Sequence, residues 1–399
     1  MEQFKTLTQW LQWLETCHPK EIELGLVRIQ QVAEPLHLTH FPIPVIIVAG
    51  TNGKGSTIAT MESCYLQQGY RVGVYTSPHL ICFNERVRIN GNNIDDATLI
   101  NSFQTIHDNL NEISLSYFEF TTLAALLIFK NTSLDVLILE IGLGGRLDAV
   151  NIVESDITVI TTIDYDHQDY LGDTREQIGY EKAGIIRENK PVVVMETDIP
   201  QTVRDTIQQK NATAYFYQKD YAEIATEHLA IPASNIATAL KVIDLLQAQL
   251  PVSAEAINMG LKQIKITGRC QIINEKPLIV IDVAHNAQSA KRFAEFITSK
   301  AQDKKVYAVF SALKDKNIAQ LVAPFVDIVD EWHIAKLNTP RAAKVEQIQQ
   351  HIEKKSVVYQ SIADAYYNLL SKVTENDMLI VYGSFFTVGE ILSICRSVQ

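Results

Sequence analysis

The sequence has little positive charge, few cysteines and no long apolar run. Its 399 residues carry 35 Lys and Arg against 46 Asp and Glu, a formal net charge of -11. A surface that binds nucleic acid needs a basic face to neutralise phosphates, so this balance argues against nucleic acid as a partner. No apolar stretch reaches the length that spans a bilayer, so we expect no membrane partner either.

Cysteine is sparse and unpatterned. The thiols form no C-x-x-C pair, and their number is odd: Cys17, Cys64, Cys82, Cys270 and Cys395. This favours reduced thiols in a cytoplasmic protein over a disulfide framework. The first twenty residues lack a basic segment followed by an apolar run, so we also expect no signal peptide.

Neither half of the chain contains G-x-G-x-x-G at a strand-to-helix turn, which argues against a dinucleotide site. Instead, two series of apolar strand signals alternate with helical segments. The first series runs from "PVIIVAG" to "PVVVMET", the second from "KPLIVIDVAHN" to "DMLIVYGSFF", and a helical stretch from Pro232 to Ile264 lies between them. Strands that are apolar on both faces and separated by helices predict an α/β protein with covered parallel sheets. We expect a domain boundary near Gln271.

A phosphate-binding loop is the strongest single motif. "VAGTNGKGST", Val48 to Thr57, joins an apolar strand to a helix. It departs from the usual G-x-x-x-x-G-K-S/T loop, because Val48 replaces the first glycine and Gly55 separates Lys54 from Ser56. An ordinary glycine-rich turn is the alternative. Three glycines, a central lysine and following hydroxyls favour phosphate binding by backbone N–H groups and the positive helix end, with Lys54 reaching the β- and γ-phosphates.

Polar residues also follow the next strands. Ser77 lies in "TSPHL", which taken alone is better explained as a proline turn. Glu140 ends the apolar strand "DVLILEIG" and enters a glycine-rich loop. A tight loop explains those glycines but not the acid, whereas a carboxylate at this place can ligate magnesium directly or through water. We therefore favour a functional role for Glu140.

Three further segments are ambiguous on sequence alone. His167 follows another apolar strand, and a metal ligand or acid/base group is about as well supported there as an exposed or structural histidine. Lys182 lies in a helix among apolar neighbours, which favours a lysine that extends its amine to solvent. In "IDVAHNAQS", Asp282, His285 and Asn286 stand between a strand and a helix, where Asn286 is a good helix cap.

Together, these stretches resemble the folylpolyglutamate synthase/dihydrofolate synthase family of the Mur ligase superfamily. The family's motifs occur in order over most of the chain: G-T-N-G-K-G-S, S-P-H, a strand-end glutamate before G-L-G-G-R-L-D-A, D-H-x-x-x-L-G, E-K-A-G-I, a G-R before the second domain, and D-x-A-H-N. Their number and order are far more specific than any one motif. The similarity is greatest to bifunctional bacterial members.

The resemblance implies roles for the matching positions. The ATP phosphate loop would comprise Thr51, Asn52, Gly53, Lys54, Gly55 and Ser56. Further nucleotide contacts would come from Asn235, Arg269, Asp282 and His285. The magnesium ligands would be Ser77, Glu140 and His167, and a carbamylated Lys182 would add anionic oxygens near a second magnesium. Lys54, Glu140, His167 and Lys182 are thus the expected catalytic residues. The pterin substrate would contact Glu21, Ile22, Glu23, Leu24, Ser116, Leu147, Asp148 and Ala149.

Two features depart from the family pattern. "DAVN" replaces the commoner "DATN", so Val150 removes a hydroxyl near the substrate loop. The segment between Tyr217 and Pro232 is short for the family, which predicts a trimmed hairpin there.

The resemblance further implies an ATP-dependent carboxylate–amine ligase. Such an enzyme would convert a carboxylate to an acyl phosphate, which the amine of L-glutamate then attacks. The reactions would be 7,8-dihydropteroate to dihydrofolate, and the addition of further glutamates to reduced folates. Two Mg2+ ions and a monovalent cation such as K+ are the expected cofactors, with ATP as co-substrate. We expect a monomer whose partners are these small molecules.

The family fold would give residues 1–270 as a P-loop ATPase-type domain with a parallel-rich sheet that binds ATP and pterin. Residues 271–399 would be a Rossmann-like glutamate ligase domain. One alternative is a Mur-type UDP-N-acetylmuramyl amino-acid ligase, whose loop usually places Thr or Ser where this chain has Gly55. Another is a nucleotide-hydrolysing switch protein, which would not need Glu140, His167 and Lys182 together.

Overall fold

A computed structural model describes residues 4–20, 22–223 and 231–397. Their contacts divide the chain after Lys265 into two compact units, and Leu80–Cys82 and Ile231 also belong to the second. The division precedes the boundary expected between residues 270 and 271, because Gly268 already pairs with the second unit: its carbonyl accepts the Val283 N–H at 2.9 Å. The functional assignment of the two domains stays a prediction.

The first unit is built on a mainly parallel sheet. Its described strands are β1 (Val45–Ala49), β2 (Val72–Tyr75), β3 (Val87–Ile89), β4 (Asn92–Asn93), β5 (Val136–Glu140), β6 (Ile157–Ile160), β7 (Pro191–Val194) and β8 (Thr213–Phe216). They lie in the order β4-β3-β2-β5-β1-β6-β7-β8. Only β3 pairs in antiparallel fashion, with β2 and β4, among these strands.

Helices cover both faces of this sheet. Those described are α1 (Leu7–Leu14), α2 (Val27–Ala33), α3 (Lys54–Gln67), α4 (Asp96–Asp108), α5 (Tyr117–Lys130), α6 (Gln168–Leu171), α7 (Arg175–Ala183), α8 (Gln201–Gln209), α9 (Ala233–Leu245) and α10 (Ala254–Gln263). On β1, Ile47 packs in the cluster with α1, α2, α4 and α5, whereas Ile46 packs with α3, α9 and α10. Both faces are buried, which explains the unbroken apolar runs.

The second unit repeats the layered arrangement. Its described strands are β9 (Gln271–Glu275), β10 (Leu278–Asp282), β11 (Val306–Phe310), β12 (Glu331–Ala335), β13 (Ser356–Tyr359) and β14 (Met378–Tyr382). Its described helices are α11 (Ala287–Ala301), α12 (Ile318–Val322), α13 (Val345–Gln349), α14 (Ile362–Leu370) and α15 (Phe385–Ser397). The strand order is β13-β12-β11-β14-β10-β9, parallel except for β9. The predicted α/β class, with a Rossmann-like second unit, is confirmed.

Three neighbouring strands of the first sheet place the candidate site. The strands β5, β1 and β6 are adjacent and parallel, so their carboxyl ends share one edge. Glu140 is the last residue of β5, the glycine-rich loop follows β1, and the segment with His167 follows β6. Ligands of open α/β sheets bind at this edge.

None of the helices in the described ranges combines the length and apolar character that a bilayer crossing requires.

Candidate active site

The loop after β1 needs glycine at two positions. Gly50 and Gly53 have φ values of 148° and 91°, in the region that side chains disfavour. A Cβ on Gly50 would lie 1.7 Å from Thr161 Oγ1, and one on Gly53 would lie 2.4 Å from Asn235 Nδ2. By contrast, a Cβ on Gly55 would meet no described atom within 4 Å beyond its chain neighbours and the nearby backbone of its own helix. Packing inside the chain therefore explains the first two glycines but not Gly55.

The segment after β6 holds this loop in shape. The Thr51 N–H donates to the Thr162 carbonyl at 2.7 Å, and the Thr51 hydroxyl donates to the Asp164 carbonyl at 3.1 Å. The Asn52 N–H donates to Thr162 Oγ1 at 2.9 Å, while the Thr161 hydroxyl donates to the Asn52 carbonyl at 2.8 Å. Sequence reasoning missed Thr161 and Thr162. The sequence did contain a signal for them, because two hydroxyl residues at a strand end, just before the D-H motif, indicate possible contacts with the neighbouring loop.

Asn235, in the first turn of α9, is brought to the same loop. Its side chain is buried, and Nδ2 lies 3.0 Å from both the Gly53 carbonyl and Thr57 Oγ1. The amide thus ties α9 to the loop and to the start of α3. The trimmed hairpin expected between Tyr217 and Pro232 falls largely on residues 224–230, which lie outside the described residues.

Replacing Asn235 with alanine should weaken nucleotide binding, since it leaves the Gly53 carbonyl and the Thr57 hydroxyl without their amide partner. We expect the ATP dissociation constant, measured by titration calorimetry, to rise about tenfold, the equivalent of one or two lost hydrogen bonds. Asn109→Ala, which removes an exposed amide bonded to the Thr105 carbonyl of its own helix, is the control. Unchanged ATP affinity in Asn235→Ala would contradict the assignment.

Glu140, Lys54 and Ser77 meet at the edge of the sheet. Glu140 is only 6% exposed; its Oε1 lies 4.0 Å from Lys54 Nζ, and its Oε2 accepts the Ser77 N–H at 3.2 Å. Lys54 Nζ also donates to the Gly50 carbonyl at 2.9 Å. Mg2+ in nucleotide sites typically takes one or two protein carboxylates or hydroxyls and completes its shell with phosphate and water. Glu140 and Ser77 fit that donor set.

His167 directly precedes α6, as its N-cap residue, and has a left-handed backbone with φ 51°. Its N–H donates to Asp166 Oδ1 at 2.9 Å, and its Nε2 lies 3.9 Å from the same oxygen. Sequence reasoning gave Asp166 no role, although it directly precedes His167. In the described ranges, no group of three or more His, Cys, Asp or Glu side chains is preassembled around one point.

Lys182 is buried in α7, with 3% exposure. The interpretation from its sequence neighbours alone, an amine that extends to solvent, is therefore wrong. Burial lowers the pKa of its amine to about 7; the positive charge of Lys54 lowers it further and Asp166 opposes the shift. Near neutral pH a large share of this amine is thus unprotonated and nucleophilic.

The candidate pterin residues come from three segments, two of which are joined by a hydrogen bond. Ser116 caps α5, where its hydroxyl accepts the Glu119 N–H at 3.4 Å. The Leu147 carbonyl accepts the Gly25 N–H at 3.3 Å, which joins the loop after β5 to the segment of Ile22, Glu23 and Leu24. The assigned Glu21 lies outside the described residues.

Asp148 and Ala149 begin a short 3-10 turn, Ala149–Ile152, in the loop after β5. Asp148 is buried, which raises the pKa of its carboxyl group to about 7, while N–H donors such as those of Leu143 and Val150 oppose the shift. Those two bonds measure 2.8 and 2.9 Å. Val150, the departure from the family pattern, is fully buried.

In the second unit, two of the remaining candidates lie beside Phe385. The Arg269 guanidinium lies 5.3 Å from the centre of its ring, and the His285 ring lies 5.6 Å away. Asp282 Oδ2 accepts the Cys270 N–H at 2.8 Å, and burial raises the pKa of this carboxyl group. Sequence reasoning missed Phe385, although an aromatic pair in "GSFF" at a strand end marked it.

Family models match both parts of the chain. The model of the Mur ligase middle domain matches residues 48–275, and that of the Mur ligase glutamate ligase domain matches residues 268–385. The dihydrofolate synthase/folylpolyglutamate synthase of Escherichia coli K12 is 40% identical over 405 residues, 97% of this chain and 95% of that protein. The Haemophilus influenzae protein of the same name is 41% identical over 430 residues, 97% of each chain.

Solved structures agree with the sequence relatives. E. coli FolC in complex with DHPP and ADP superposes with a TM-score of 0.95 at 39% identity, over 100% of this chain and 99% of that one. The Yersinia pestis enzyme complexed with AMPPNP and Mn ion gives 0.92 at 42% identity, over 99% of each. The chain therefore belongs to the dihydrofolate synthase/folylpolyglutamate synthase family of Mur ligases, as its motifs predict.

Proposed function

We propose that this chain is an ATP-dependent ligase that joins L-glutamate to 7,8-dihydropteroate, forming dihydrofolate, and adds further glutamates to reduced folates. The observation that carries the proposal is that the glycine-rich loop, Lys54 and Glu140 meet at one sheet edge. The chain that holds them is similar, over 97% of its length, to the E. coli dihydrofolate synthase/folylpolyglutamate synthase. Phosphate oxygens that approach the backbone closely also explain Gly55, which packing does not.

The reaction makes an amide from a carboxylate, which is a poor electrophile. A carboxylate oxygen of the folate precursor attacks the γ-phosphorus of ATP, ADP leaves, and an acyl phosphate forms. The amine of L-glutamate then attacks the acyl carbon, loses a proton, and displaces inorganic phosphate. Loop N–H groups and Lys54 hold and neutralise the phosphate oxygens in the first step, which is mainly positioning and electrostatics. No side chain need form a covalent bond to substrate.

We assign two Mg2+ ions to these donor residues, and when bound they would neutralise charge on the transferred phosphoryl group. Ser77 and Glu140 would hold the first beside the loop. His167 and the carbamate of Lys182 would hold the second. The carbamate forms when the neutral Nζ attacks CO2 and releases a proton, and the buried amine of Lys182 suits that addition. We assign no residue to a monovalent cation such as K+, which would accompany the two magnesium ions.

The remaining assignments follow the family motifs. We propose that Arg269, Asp282 and His285 contact the nucleotide, and that Ser116 and the Leu147–Ala149 loop contact the pterin. We also propose that the protein acts as a monomer in the cytoplasm with small-molecule partners only. Sedimentation at working concentration would test the monomer, and a stable dimer would contradict it.

Oxygen isotope transfer tests the acyl phosphate. Dihydropteroate labelled with 18O in its carboxylate should pass one labelled oxygen to inorganic phosphate in each turnover, because phosphate leaves with the oxygen that attacked ATP. Mass spectrometry of the released phosphate reads the label. Unlabelled phosphate alongside dihydrofolate formation would exclude this route.

A further inference from the structure

Arg28, on α2, connects two of the three segments that carry the candidate pterin contacts. Its Nη2 donates to the Glu23 carbonyl at 3.1 Å and to Glu119 Oε1 at 3.0 Å, and its Nη1 lies 3.3 Å from Glu23 Oε1. One guanidinium thus contacts the segment before α2 and the first turn of α5. Neither the family motifs nor the site described above gives Arg28 a role.

Each end of this link fixes a candidate pterin residue. Glu119 Oε2 accepts both the Ser116 N–H and the Ser116 hydroxyl at 2.8 Å, so Arg28 and Ser116 contact opposite oxygens of one carboxylate. Glu23 Oε2 lies 2.7 Å from His18 Nε2, and that hydrogen bond is the main reason that the pKa of the Glu23 carboxyl group lies below its ordinary value.

Charge and burial make the link specific to arginine. The Glu119 side chain is only 4% exposed, and removing one partner of a buried ion pair is strongly destabilising because it leaves the other charge uncompensated. A planar guanidinium can donate to a carbonyl and a carboxylate on different segments at once. A lysine amine at the same place is a point charge on a flexible stem, and it lacks the rigid, planar arrangement of N–H donors that lets arginine contact both segments.

We propose that Arg28 is a positioning residue of the pterin site: it sets the separation between the Glu23 segment and the amino end of α5. This inference rests on the proposed function and extends it. Arg28 acts through Glu23 and Glu119 rather than by contact with substrate. Its loss should therefore weaken binding of the pterin substrates and leave binding of ATP unaffected.

Steady-state kinetics of Arg28→Lys and Arg28→Ala test the proposal. Both variants should raise KM for dihydropteroate and for tetrahydrofolate about 10- to 100-fold, the usual effect of losing a supporting contact, while KM for ATP stays within about twofold. The KM for the pterin substrates should be as high in Arg28→Lys as in Arg28→Ala. If only the positive charge of Arg28 mattered, Arg28→Lys would keep the KM of the unmodified protein. Arg71→Lys, at an exposed pair with Asp135, is the matched control and should change neither KM.

A cycle with Glu119→Gln adds an independent readout. If the guanidinium acts through Glu119, the double variant should raise KM for dihydropteroate no more than the larger single effect. Additive effects, full rescue by lysine, or equal rises in KM for ATP would overturn the inference. If Arg28→Ala does not fold, the KM values of Arg28→Lys, of Glu119→Gln and of the double variant that combines them still test the proposal. An unmodified chain without pterin turnover would instead refute the proposed function itself.

Discussion

Alanine at Glu140 should abolish ligase turnover without unfolding the protein. The change removes the carboxylate that accepts the Ser77 N–H and faces Lys54 Nζ. Glu140 would hold the proposed Mg2+ that neutralises charge on the transferred phosphoryl group, so we expect kcat for ADP release to fall by at least about 100-fold. Thermal unfolding measured by circular dichroism should still show one cooperative native state.

Glu331→Ala is the matched control for Glu140→Ala. Glu331 is also a buried strand glutamate, 8% exposed, and pairs with Lys355 at 2.9 Å in the second unit. Its loss should lower stability and leave kcat near the unmodified value. Near-normal turnover in Glu140→Ala, or an equal loss of kcat in both variants, would show that Glu140 does not act in the reaction.

Methionine at Lys182 should give a protein that is at least as stable but nearly inactive. Methionine has a similar length and no charge, so it removes the cost of burying an amine. It would also remove the proposed carbamate, and we expect kcat to fall by about 100-fold or more because the proposed second magnesium would lose an anionic ligand. Lys130→Met, at the exposed end of α5, is the control. Full activity in Lys182→Met would contradict the carbamate.

The pH dependence of stability gives a second readout for Lys182. In CO2-free buffer, burial holds the pKa of this amine at about 7, against 10.5 in its ordinary state. Between those values the unfolded chain binds a proton that the folded chain does not, so the free energy of unfolding rises with pH across this window. Urea unfolding should show that rise in the unmodified protein and its loss in Lys182→Met. Identical pH profiles for the two would contradict a buried neutral amine.

The proposed carbamate on Lys182 can be tested by 13C NMR. Protein equilibrated with 13C-bicarbonate should show a carbamate carbon signal that Lys182→Met lacks. A spectrum without that signal at any bicarbonate concentration would leave Lys182 as an amine and remove it from the proposed magnesium ligands.

Much of the fold could be predicted because its strands are buried on both faces. The runs "PVIIVAG" and "DVLILEIG" have no polar alternation, which is typical of central parallel strands, and they form β1 and β5. Glu140 stood out for the same reason: an acid at the end of such a run has no packing role. The order of the motifs then predicted the family, which the comparisons confirm.

Other features depended on contacts between distant segments. Local pattern suggested an exposed Lys182, because helical spacing says nothing about what packs on α7. Thr162 and Phe385 carry no motif of their own, and only the fold places them beside the loop and the Arg269 guanidinium, respectively. Arg28 was missed because its two carboxylate partners lie on separate segments, one of them 91 residues away.

The most direct test of the account is ADP release measured in parallel with three acceptors: 7,8-dihydropteroate, tetrahydrofolate and a UDP-N-acetylmuramyl precursor. Each assay contains ATP, Mg2+ and the amino acid that its acceptor requires, with Glu140→Ala as the blank. The account predicts release with dihydropteroate and with tetrahydrofolate that depends on L-glutamate, and none above the blank with the cell-wall precursor. Release with the cell-wall precursor alone would contradict it.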